Sequence, residues 1–153
     1  MFNWYALFKF LHVGAAIVWV GGLITLTLLN ARLATERDPA AATLFARHAG
    51  HLGQRVFGPA AMVTLFAGIG MMAIMGWRLS LWLTWGLVGV FGSIALGAVV
   101  GRRAGMALAK LSSSPDADPV EVDRARRRVT LVNLANVLLQ VSTVWAMVFK
   151  PTL

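Results

Sequence analysis

The sequence contains no cysteine. That excludes disulfides, thiolate metal sites, cysteine-ligated iron–sulfur clusters and cysteine nucleophiles. Acid is scarce: of 153 residues six are Asp or Glu, against fourteen Lys or Arg. Glu36, Asp38, Asp116, Asp118, Glu121 and Asp123 all lie outside the apolar stretches. Carboxylate relays of the kind found in pumps and proton-coupled transporters are therefore excluded. There is no nucleotide loop, no dense ligand set for a structural metal and no nucleophile–base–orienter set. The net charge of +8 would suit nucleic acid, but the basic residues gather in two connections between apolar stretches. That is a membrane pattern, and no nucleic-acid partner is expected.

What the chain has in abundance is apolar length. Hydrophobic residues make up 58% of it and the mean hydropathy is +0.72. Residues 1–153 thus read as a single membrane domain with little room for a soluble module. Four stretches, about 5–33, 56–77, 81–100 and 129–149, meet the need for about 20 apolar residues to cross about 30 Å of hydrocarbon as a helix. The expected fold is all-α, an antiparallel integral membrane four-helix bundle. The first stretch is too long for a signal-peptide core, lacks a basic lead and has no convincing cleavage site.

The charges predict the orientation. Arg32, Arg37, Arg47 and Arg55 lie in the first loop, and Arg102, Arg103, Lys110, Arg124, Arg126, Arg127 and Arg128 in the third. Only Lys9, Arg78 and Lys150 remain for the opposite side. The positive-inside rule then puts loops 1 and 3 in the cytoplasm and both termini outside. Trp4, Trp77, Trp82, Trp85 and Trp145 fall near the outer helix ends as an interfacial belt, and only Trp19 is deep. Asp38-Pro39 predicts the start of an interfacial helix over about 39–53, with Leu44, Phe45, His48 and Leu52 on one face. Asp118-Pro119, with Glu121 at the third helical position, predicts a capping-box-like start for the last helix.

Helix contacts in lipid rely on small residues and interhelical hydrogen bonds. Gly89, Ser93, Gly97 and Gly101 recur every four residues on the third span. Gly89, Ser93 and Gly97 offer a face for a homo-oligomer or another helix. Asn133, Asn136, Gln140 and Thr143 form a polar stripe on the fourth span. Amides facing lipid would go unsatisfied, so the stripe must look into the bundle, as interhelical glue or as ligand contacts.

His12 is the one ionisable side chain deep in an apolar stretch, and such a group usually marks a site. Seven residues in from Tyr5, it lies about 10 Å below the outer interface. Equal depth on the other spans is Gly70–Met71, Gly89 and Ser142–Thr143. That layer suits a flat apolar cofactor such as haem b, with His12 as an axial ligand and Met71 or Met72 as a second. Asn136, Gln140 and Thr143 would line the pocket, and Lys9, one turn above, would meet a propionate. Met62, Met75 and Met147 are expected to fill core. The residues alone leave His12 open between haem ligation, a neutral imidazole bonded to a neighbouring helix, and another ligand or proton role. His48 and His51 are one turn apart but belong at the opposite face, since His12 to Leu33 is already about 31 Å of helix. They are weak metal candidates.

The run Trp4-Tyr-Ala-Leu-Phe-Lys9-Phe-Leu-His12, followed by Trp19-Val-Gly21-Gly22-Leu, resembles the first helix of a superfamily of small bacterial four-helix membrane proteins. The superfamily includes the HemJ-type protoporphyrinogen oxidases and the CopD-like copper-resistance proteins. Arg55-Val-Phe57-Gly-Pro59-Ala60 with Thr64-Leu65 and Gly68 is similar to that oxidase's second helix, and Arg128, Asn133 and Lys150-Pro151 to its fourth. The closest likeness is to a sister family of predicted integral membrane proteins. The resemblance implies a bacterial inner-membrane location and haem b held by His12 in a redox or haem-handling role. It departs from the oxidase on the third helix. There Trp82-Leu83 is followed by Thr84, Trp85, Gly86 and Leu87 without a lysine, and Gly101-Arg102-Arg103 replaces a histidine-containing end. The alternatives are a non-enzymatic membrane subunit, or a small-solute or copper-handling protein without haem.

Overall fold

The computed structural model describes residues 2–36, 39–76, 80–114 and 116–151. It is all-helical, with no strand among the described residues. Helix α1 spans Trp4–Glu36, α2 Pro39–Leu52, α3 Gly58–Met75, α4 Leu81–Ile94, α5 Arg102–Ser112 and α6 Pro119–Phe149. Two π-helical segments, Gly53–Phe57 and Ala95–Gly101, join α2 to α3 and α4 to α5. Their flanking residues Leu52, Gly58, Ile94 and Arg102 keep right-handed helical dihedrals, so both chains of helix run on without a break. Four stretches are long and apolar enough to span a membrane: Trp4–Leu33, Arg47–Met75, Leu81–Ser112 and Pro119–Phe149. The separate interfacial helix expected over 39–53 is instead the leading part of the second long helix. The third span likewise runs on past Val100.

Local chemistry sets the ends. Asn3 caps α1, its Oδ1 accepting from Ala6 N at 3.0 Å. Gly76, with φ of 82°, stops α3 in a conformation that costs a side chain dearly. Asp118 caps α6, its Oδ1 accepting from Val120 N at 2.9 Å, with Pro119 in the first turn. That bond reaches the second helical residue rather than Glu121. Asp38 and Trp77 lie outside the described residues.

Two antiparallel helix pairs make the bundle. α1 packs on α3, where Phe57 lies over Gly22, His12 over Gly68 and Phe8 over Gly70. α4 packs on α6, where Met147 covers Gly86, Thr143 covers Gly89, Leu139 covers Gly92, and Asn136 and Val132 stand beside Gly97 and Gly101. α1 also touches α6, joining the pairs. Trp19, Ala60, Ala61 and Val90 form the buried centre, with Phe57 and Leu65 against it. Every large side chain keeps some exposure, and apolar residues such as Phe10, Ile17 and Leu138 point outward, as lipid requires.

Candidate ligand site at His12

His12 points into the bundle. Its Nδ1 stands 2.7 Å from the Thr64 carbonyl oxygen on α3. A carbonyl only accepts, so Nδ1 carries the proton, and in the neutral ring Nε2 is left with the lone pair. Gly68 makes the approach work: a Cβ there would stand 3.2 Å from Nδ1 and 3.3 Å from Cε1. Nε2 takes no hydrogen bond among the described residues. A backbone carbonyl holding one imidazole nitrogen is the usual way a protein orients a histidine whose other nitrogen binds a ligand.

Beside the ring lies a cavity of about 40 Å³. Thr64, Leu65, Gly68, Ile69 and Met72 of α3, Leu83, Gly86, Leu87 and Val90 of α4, and Met147 of α6 border it. Its lining is apolar apart from the imidazole, Thr64 and two thioether side chains. Such a volume takes an ion or one or two waters. Pockets that enclose larger organic molecules run from about 300 Å³ upward, so a haem does not fit beside His12 in this packing.

Of the residues expected around His12, only Met72 borders the cavity with it. Met71 is half-buried elsewhere on α3. Lys9 is exposed and does not border the cavity. Asn136, Gln140 and Thr143 do face inward, at 5%, 2% and 8% exposure, but they serve the α4–α6 contact. Gln140 Nε2 donates to the Gly89 carbonyl at 3.3 Å, and the Thr143 side chain fills the space over Gly89. Asn136 Oδ1 is buried without a partner.

Met147, expected only as core filling, is the sulfur that depth counting missed as a neighbour of the site. Met62 and Met75 do not fill core: they are 44% and 66% exposed. His48 and His51 sit exposed on α2. No group of three or more His, Asp or Glu gathers among the described residues. Of the glycine face offered for an oligomer, Gly89 lies buried under Thr143 of the chain's own α6 and Ser93 is buried, whereas Gly97 keeps its exposure with Asn136 beside it.

His12 meets α3 at Gly68, two residues before the expected Gly70, because α3 ends at Met75 rather than Trp77. Counting seven residues back from Met75 lands on Gly68. Gly70 faces Phe8 instead, one turn earlier on α1.

No curated protein and no solved structure matches the chain. The family profile described as predicted integral membrane protein DUF2269 matches residues 6–151, which takes in His12, the cavity and nearly all of the four spans. The chain belongs to that family of integral membrane proteins.

Proposed function

We propose that the His12 cavity binds a single soft metal ion, Cu(I) in particular, and that the protein handles copper in the membrane. The observation that supports it most is the meeting of an oriented imidazole with Met72 and Met147 around a space of about 40 Å³. Thioether sulfur and imidazole nitrogen without carboxylate are the donor set that favours Cu(I) over harder divalent ions. The likeness of the first helix to copper-resistance proteins points the same way. In this reading Nε2 of His12 and the sulfurs of Met72 and Met147 are the ligands, and the Thr64 carbonyl orients the ring. The site lies toward the end of the bundle opposite the arginine-rich connections. By the positive-inside rule that end faces outward from a bacterial inner membrane.

Loading the detergent-purified protein with Cu(I) under reductant, desalting it and measuring bound metal tests the proposal. The wild type retains copper. His12→Ala loses it, and Met147→Leu weakens binding about tenfold, the effect of roughly 1.4 kcal/mol. Equal retention by wild type and His12→Ala overturns the reading. Haem b is the competing outcome. Protein expressed with ample haem that shows a Soret band, absent in His12→Ala, would replace the metal ion by haem and require the bundle to open beside Gly68.

A further inference from the structure

A second and larger concavity, about 330 Å³, lies between the start of α4 and the end of α6. Leu81, Trp82 and Trp85 border it from α4, Ser142, Trp145 and Ala146 from α6, with Pro151 beyond. Trp85 Nε1 donates to Ser142 Oγ at 3.1 Å, which fixes that indole as a wall between the two helices. Trp145 stacks at 5.4 Å on Phe149. Lys150 takes a left-handed backbone conformation, φ 47°, and its Nζ stands 5.5 Å from the centre of the Trp82 ring. An ammonium group is thus placed at the edge of an indole-lined groove.

No Asp or Glu side chain among the described residues pairs with it, because every Asp and Glu of the sequence lies in the connections at the other end of the bundle. The sequence charges at this end are Lys9, Arg78 and Lys150, all positive. The groove joins the start of α4 to the end of α6. Both helix ends lie where a membrane changes from hydrocarbon to headgroups, the level at which indoles settle. A ligand that fits needs an apolar body for the groove and an anionic group for Lys150.

We propose that this groove is a phospholipid-binding site. The glycerol and upper acyl region lie against Trp82, Trp85 and Trp145, and the phosphate is held by Lys150. A scattered aromatic belt would hold lipid only by partition. Here three indoles from two helices converge on one groove with a cation at its rim, and that convergence makes a saturable site.

Titrating the full-length protein in detergent with short-chain phosphatidylglycerol, followed by indole fluorescence, tests it. The wild type gives a saturable response, and inorganic phosphate at the same concentrations gives none. Lys150→Gln weakens binding about tenfold, as loss of one charge-assisted contact would. Trp145→Ala abolishes the saturable phase, whereas Trp4→Leu, an exposed indole outside the groove, leaves it unchanged. A linear, non-saturating response overturns the proposal. So does a saturable one that is the same in Lys150→Gln and Trp145→Ala as in wild type.

Discussion

The α1–α3 and α4–α6 contacts use the same device with different results. In each, a glycine on one helix admits a polar side chain from the other, and that side chain lies against backbone. On α3, Gly68 admits the His12 ring, which bonds the Thr64 carbonyl. On α4, Gly89 admits Thr143, and Gln140 bonds the Gly89 carbonyl. Without a hydrophobic drive between helices in lipid, such close approaches and hydrogen bonds hold the bundle together. The difference lies in what remains. Thr143 turns its hydroxyl back to the Leu139 carbonyl of its own helix at 2.9 Å. His12 satisfies one nitrogen against backbone and borders a void that Met72 and Met147 also line. Glue and site are separated by leftover bonding capacity and space, not by residue type or depth.

That contrast is open to attack by substitution. The largest effect should come from Gly89→Leu. Even a Cβ there collides with Thr143, so the change should cost about 3 kcal/mol of overpacking, read as a lower unfolding midpoint in a denaturant titration of the detergent-purified protein. Gln140→Leu removes the bond to the Gly89 carbonyl and should cost about 1 kcal/mol in the same assay. Asn136→Leu should act in the opposite direction. Its Oδ1 is buried and unpartnered, so the substitution should be neutral or stabilise by up to about 1 kcal/mol. Asn136 and Gln140 are one turn apart on the same helix face, which makes the pair a sharp test of whether a polar stripe holds as a whole or residue by residue.

The smallest effect should be that of Thr64→Val. The Thr64 hydroxyl already donates to the Ala60 carbonyl at 2.9 Å within α3, and His12 uses the backbone oxygen, which valine retains. A change of about 0.5 kcal/mol or less is expected, with copper retention unaltered. Strong loss of metal binding in Thr64→Val would mean that the hydroxyl, not the carbonyl, orients the ring.

Much of this architecture was legible in the residues. Four apolar lengths announced four spans, because backbone in hydrocarbon has to close its own hydrogen bonds. The inward aim of Asn136, Gln140 and Thr143 followed from the cost of an amide in lipid. The position of His12 facing another helix followed in the same way. The partners of each group were another matter. The second span was expected to run to Trp77, whereas α3 ends two residues earlier, at Met75. Depth also says nothing of rotation about a helix axis. For that reason depth left Met71 and Met72 open, of which only Met72 borders the cavity, and Met147 was passed over, one turn from the expected Ser142–Thr143 level. The π segments left no plain mark: Gly53–Phe57 and Ala95–Gly101 read as span ends, yet the helices continue through them. A glycine run suggested an outer face for a partner, but only tertiary packing shows that α6 covers its Gly89.

Which nitrogen of His12 carries the proton decides whether the ring can offer a lone pair to a metal ion. Nitrogen NMR of the histidine-labelled protein in detergent, with His12 assigned by comparison with His12→Ala, reads the tautomer directly. The prediction is a neutral imidazole protonated at Nδ1, with a bare Nε2 whose resonance moves when Cu(I) is added. A proton on Nε2, or an Nε2 resonance indifferent to the metal, would contradict it.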